Sequence, residues 1–231
     1  YKMLESIVVA KLKGTIVALP MLNVTASQKM QRMSPFELFG NGDLNRCFPG
    51  DKNGLTTQQM AYNIYEPLRQ YADFLIDFHT ALTIDVRWAL YANAPGETGK
   101  KAAGVAKAWG YKSTLPAPLN ILGGSALITA AKDGIPSFIV EAGGIGAAFD
   151  RDTVEDGAER LCNVMRYLGM KEGKVTNYGP QYNFSNFAWV NSTRGGLFEN
   201  YVKCGDKLEV GTKLGRYFNV FGDLVEEPES P

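Results

Sequence analysis

The chain has almost no histidine: His79 stands alone among 231 residues, so this one imidazole calls for a specific explanation. Cysteine is scarce too. Cys47, Cys162 and Cys204 are an odd number without a C-x-x-C spacing, which excludes a disulfide framework and a cysteine-rich metal site and points to a reducing compartment. Net charge is lacking, because Lys+Arg and Asp+Glu are 24 each, and no overall field draws the chain to nucleic acid or to an anionic membrane. A small molecule is the expected partner. No apolar run reaches the roughly 18 residues of a membrane span, and no basic-then-apolar leader is present, so a soluble cytoplasmic protein is expected. The Asn-x-Ser/Thr triplets at Asn23, Asn183 and Asn191 are then chance matches. No internal repeat or low-complexity tract is found.

What is present is enough for a real core: 45% of residues are hydrophobic and 11% aromatic, at a length that allows one large domain or one and a half. The opening residues read as a helix already under way at Tyr1, which places the true N-terminus upstream; Met3, Leu4, Ile7 and Val8 carry it and Gly14 ends it. Thr15–Leu22 reads as a buried strand ending near Pro20. From Asn23 to Asn53 no period is sustained and turn formers recur, and a loop of that length inside a compact domain points to function. Thr56-Thr-Gln-Gln fits a capping box opening a helix through Tyr71, with Pro67 as a potential kink.

Beyond it the chain alternates. Residues 74–78 and 87–91 read as strands, 98–109 and 125–132 as helices, 137–141 as a strand, and 152–168 as a helix capped by Asp152. That is an α/β pattern. After Gly169, short extended runs (187–190, 196–198, 206–210, 214–218) between close glycines predict a small all-β module. The boundary is set at 180/181, giving an α/β domain over 1–180 and a β domain over 181–231.

The candidate chemistry gathers around Asp43-Leu-Asn-Arg-Cys-Phe-Pro-Gly50 and the strand that delivers His79. In Asp77-Phe-His79, alternation puts carboxylate and imidazole on one face, so Asp77 can orient His79. The bland reading is a hydrogen-bonded histidine at a strand end. Strand C-termini of open α/β sheets are where ligands bind, however, and a carboxylate behind a histidine is the arrangement that metal ligands use. Glu141 closes an apolar strand before a glycine-rich turn; the partial burial expected there raises a carboxyl pKa and suits a general base. Arg46 and Arg32 are loop arginines, by default solvated, but Phe48-Pro49 holds Arg46 in rigid surroundings that favour carboxylate or oxyanion recognition. Gly144-x-Gly146 lacks the third glycine and the acidic ribose ligand of a dinucleotide loop.

Together Arg32-x-Ser-Pro, Asp43-Leu-Asn-Arg-Cys-Phe-Pro-Gly50, Asp77-Phe-His-Thr80 and Gly134-Ile-Pro…Val140-Glu-Ala-Gly-Gly144 resemble the succinylglutamate desuccinylase/aspartoacylase family of zinc carboxypeptidase-like hydrolases. The glycine-spaced C-terminus resembles that family's appended β domain. The resemblance implies a mixed central sheet flanked by helices, and a zinc ion held by two histidines and a glutamate. It makes His79 one zinc ligand and Glu141 the general base; Asn45 and Arg46 would hold a substrate carboxylate, and Arg32 would polarise the scissile carbonyl. The other two ligands belong to a His-x-x-Glu motif that is absent from this sequence and is expected upstream of Tyr1. Ala81 departs from the glycine common after His-Thr, and the β domain stops at Pro231 before its second half. The expected activity is zinc-dependent cleavage of an N-acyl amino acid or a related carboxylate-bearing amide. The alternative is a non-catalytic carboxylate-binding or interaction protein of the same fold. The β domain either gates the site or builds a homo-oligomer interface.

Overall fold

The computed structural model describes residues 2–5, 7–37, 42–80, 85–144 and 150–231. The chain divides into two compact units, Tyr1–Ser185 and Asn186–Pro231. In the first unit the helices are α1 (Lys2–Glu5), α2 (Val24–Gln28), α3 (Thr56–Tyr71), α4 (Gly96–Trp109), α5 (Ala126–Lys132) and α6 (Arg151–Tyr167). The strands are β1 (Leu75–His79), β2 (Val86–Ala92), β3 (Ser113–Ala117), β4 (Ser137–Gly143) and β5 (Tyr182–Asn183), paired in the order β1-β4-β2-β3-β5. β4 runs parallel to β1 and antiparallel to β2, while β3 is parallel to both β2 and β5. The result is a mixed α/β sheet with helices on it, as expected.

Strand alternation sorts the core into two faces. Ala89, Phe138 and Val140 pack with Trp109, Val105 and Val164 of α4 and α6. Leu90, Leu115 and Ile139 pack with Leu127 and Ile128 of α5. Because both faces are covered, β4 reads as an uninterrupted apolar run until Glu141. Glu141 follows Ile139 by two, so its side chain belongs to the α5 face.

Four expectations for the first unit fail. Thr15–Leu22 is not a strand: it carries no ladder, and Val17, Leu19 and Met21 are exposed. β propensity expresses the fit to a pleated, half-buried surface, and among the described residues no strand offers this segment one. The opening helix is only α1, followed by a 3-10 turn at Val9–Lys11. The start of α3 is shifted by one residue: Leu55 precedes it, Gln58 Oε1 accepts from Leu55 N at 2.9 Å, and Thr57 N and Oγ1 donate to Glu37 Oε1. Asp150, not Asp152, caps α6 by accepting from the Asp152 N–H. β3 carries Pro116, a residue that argues against a strand. Here β5 pairs only with Ser113 and Thr114, so at Pro116 the ladder is needed on the β2 side alone.

The second unit is a three-stranded antiparallel sheet of β6 (Leu197–Asn200), β7 (Gly215–Phe218) and β8 (Leu224–Glu226). Residues 187–190 and 206–210 are not strands, and β8 was not foreseen. Gly215 is needed for close approach, since a Cβ there would lie 2.4 Å from the Phe198 ring.

Candidate active site

Parallel pairing of β1 and β4 sets His79 opposite Glu141, and antiparallel pairing of β4 and β2 sets Trp88 opposite Glu141 on the other side. Imidazole, carboxylate and indole therefore share one end and one face of the sheet. The register also puts Asp77 two residues before His79 on that face, where its Oδ2 lies 2.9 Å from His79 Nε2. A carboxylate can only accept, so we assign the ring proton to Nε2. In the neutral ring Nδ1 then carries the lone pair, and it lies 3.9 Å from Glu141 Oε1. Both side chains are about four-fifths buried, with 20% and 22% relative exposure.

This burial sets the ionisation. It pushes the Glu141 carboxyl up; the His79 and Arg32 charges pull it back and Asp77 adds to the rise, leaving it above the usual carboxylate range. For His79, burial alone acts downward, but the hydrogen bond and charge of Asp77, with the charge of Glu141, outweigh it and the imidazole ends above its ordinary value. A carboxylate with a raised pKa is a stronger proton acceptor than an exposed one.

The loop of 43–50 is bolted to this site from the α5 side. Asp43 Oδ1 accepts from Asn45 N and initiates a 3-10 turn over Leu44–Arg46. Asn45 Oδ1 accepts from Ala126 N at 3.0 Å, and its Nδ2 lies 3.3 Å from His79 Nε2. The amide oxygen is thus already committed to α5, and only Nδ2 faces the site. Arg46 is exposed and donates Nη1 to the Asn45 carbonyl at 2.7 Å. Arg32 donates Nε to Asp43 Oδ2 at 2.9 Å, and its charge is felt at both His79 and Glu141. With the arginine 52% exposed, this pair contributes at most about 1 kcal/mol to stability, so its consequence is orientation of the guanidinium.

All six residues singled out in the sequence, Arg32, Asn45, Arg46, Asp77, His79 and Glu141, therefore fall in one region of the first unit. Ala81 and Gly146 lie outside the described residues. The contribution of Gly124 was not foreseen, and no local signal could have found it. At φ +76 it receives Phe48 N on its carbonyl at 2.9 Å, and a Cβ there would stand 2.2 Å from the Arg46 carbonyl oxygen. Gly124→Ala is expected to destabilise the protein by roughly 2–4 kcal/mol through strain and backbone displacement, which a urea melt measures. Gly50 meets the same constraint at φ +92, where a Cβ would lie 2.1 Å from Tyr62 N.

As a metal centre the cluster fits in part. His79 with Asp77 behind it has the form of a metal-ligating imidazole. Among the described residues no group of three or more His, Cys, Asp or Glu is placed to hold a metal ion.

Residues 1–168 match the family described as Succinylglutamate desuccinylase/Aspartoacylase catalytic domain. The chain is similar to the N-alpha-acetyl-L-2,4-diaminobutyric acid deacetylase of Halomonas elongata, with 26% identity over 221 residues, 90% of this chain and 62% of that protein. It thus spans about three-fifths of the length of that curated relative. Its fold is similar to that of a succinylglutamatedesuccinylase/aspartoacylase from Rhodobacter sphaeroides, with TM-score 0.80 and 24% identity over 95% of this chain and 68% of that one. The product-bound ectoine utilization protein EutE (DoeB) from Ruegeria pomeroyi superposes at TM-score 0.85 with 20% identity, covering 99% of this chain and 70% of that one.

Proposed function

Because the chain belongs to the succinylglutamate desuccinylase/aspartoacylase family, we propose that it is a zinc carboxypeptidase-like deacylase that hydrolyses the amide bond of an N-acyl amino acid or a related small carboxylate-bearing amide. The observation that carries this reading is the pairing of an oriented imidazole with a buried carboxylate, His79 Nδ1 lying 3.9 Å from Glu141 Oε1. The named activity of the Halomonas relative, removal of an acetyl group from an amino acid, supports the substrate class.

In this reading Glu141 accepts the proton of the attacking water and passes it to the leaving amine. Its largely buried position keeps the carboxylate basic enough for the first transfer and protonated long enough for the second. Arg46, exposed beside the site, holds the substrate carboxylate, with Asn45 Nδ2 as a second donor. Arg32, steered by Asp43, faces the oxygen of the scissile carbonyl, where one well-placed donor contributes roughly 3–4 kcal/mol to the transition state. His79 Nδ1 would hold zinc, which when bound supplies a water of pKa about 7 and polarises the carbonyl. Cys47, Cys162 and Cys204 form no disulfide with one another, which supports a reducing, cytoplasmic setting. Among the described residues no helix is long and apolar enough to cross a membrane.

A second reading, a non-catalytic binder of carboxylates through Arg46, is favoured by one observation: His79 is the sole histidine, so a two-histidine zinc site is not available within these 231 residues. One experiment separates the two. The purified protein is assayed for bound metal and for amine release from N-acetyl and N-succinyl amino acids, before and after chelation. Zinc-dependent amine release that chelation abolishes and added zinc restores is the expected result. Metal-loaded protein that releases no amine from any of these substrates sinks the hydrolase reading and leaves the binder.

A further inference from the structure

On the opposite face of the sheet from Glu141 lies an open cavity of about 460 Å³, lined by Arg87, Tyr111, Lys112, Asp152, Arg160 and Tyr178 among others. Arg87 stands two residues before Ala89 on β2 and so points to the α4/α6 face. Most of the charge here is already engaged. Arg87 reaches Asp85, Thr153, Asp150 and Asp156. Arg160 clasps Asp156 through Nε at 2.7 and 2.9 Å and donates Nη1 to the Trp109 carbonyl at 3.0 Å. Its guanidinium is sandwiched between the rings of Tyr111 and Tyr178, 4.7 and 4.4 Å from their centroids, which makes it a rigid wall.

What is left over has a pattern. Arg160 Nη2 has no hydrogen bond among the described residues, and Lys112 Nζ has only the Tyr182 ring at 5.4 Å. The Tyr111 hydroxyl is buried beside Arg87 and closed off from the cavity, so it takes no part in binding. Opposite in sign, the exposed Asp152 carboxylate has no partner among the described residues. A simple anion would answer Lys112 and Arg160 but face Asp152, and a simple cation would answer Asp152 but face Lys112 and Arg160. We propose that this cavity is a binding site for a free α-amino acid in its zwitterionic form, with the carboxylate directed to Lys112 and Arg160 and the ammonium to Asp152. This does not rest on the hydrolase reading, because the cavity and Glu141 lie on different faces of the sheet.

Isothermal titration of the full chain with L-alanine, and with acetate and ethylamine as its two halves, tests the proposal. Saturable binding of L-alanine is expected, with each half at least about tenfold weaker. Lys112→Ala and Asp152→Asn, both at exposed positions where the fold should survive and a thermal melt verifies it, are each expected to weaken L-alanine at least about tenfold. Arg46→Ala removes any amino acid held at the other face and should leave this binding unchanged. The proposal is overturned if wild type shows no saturable L-alanine binding, if both cavity variants bind like wild type, or if Arg46→Ala abolishes the signal.

Discussion

Glu141→Gln is expected to lower kcat/KM for amide hydrolysis by roughly 10³-fold with the metal still bound, because a carboxamide neither accepts nor returns the proton that the reaction moves. The replacement is nearly isosteric, and Glu141 sits between the β1 and β2 ladders, so the fold should persist. The pH dependence carries the same signature. The base works ionised, and burial raises its pKa above the usual carboxylate range, so activity should rise with pH through that elevated value. The acidic limb of kcat/KM therefore lies higher than an exposed glutamate allows. A variant that retains hydrolysis within a few-fold of wild type, with zinc confirmed, removes Glu141 from the mechanism.

His79→Ala is expected to take zinc-dependent activity to background, since the only imidazole of the chain is lost. Asp77→Asn is the subtler companion. Replacing the carboxylate behind a ligating histidine typically costs 10–100-fold in metal affinity. In the metal-free protein, Asp77 and Glu141 outweigh burial and raise the His79 pKa, so protons compete with metal and uptake weakens as pH falls through that raised value. Removing the Asp77 charge should move this threshold to lower pH even as affinity drops. Zinc titration across pH in wild type and variant measures both effects. A His79→Ala protein that binds zinc as wild type does would exclude His79 as a ligand.

Much of the site was legible because its residues advertise themselves locally. Asp77 and His79 share a face by strand alternation alone, and Glu141 ends an apolar run, although β4 continues past it to Gly143. The α/β alternation was legible for the same reason, since helix and strand periods are local. Thr15–Leu22 shows where such reasoning stops. Its composition is that of a strand, but a strand exists only if another offers a ladder, and that partner is not a property of the segment. Pro116 is the reverse case, a residue that argues against a strand yet is accommodated because one side of β3 has no neighbour there.

By itself the sequence determined the family, the pattern of elements and the six residues around which chemistry is proposed, because motif residues and hydrophobic periods are encoded within a few positions. Only the tertiary structure decided that β4 lies between β1 and β2, which makes His79 and Glu141 neighbours across 62 residues of chain. It also decided that Asn45 spends its amide oxygen on Ala126, 81 residues away, and that Gly124 must leave room for the Arg46 carbonyl. These facts are contacts between distant segments. Each depends on which strands pair and in what register, and register is set by the burial of whole faces rather than by any single stretch of sequence.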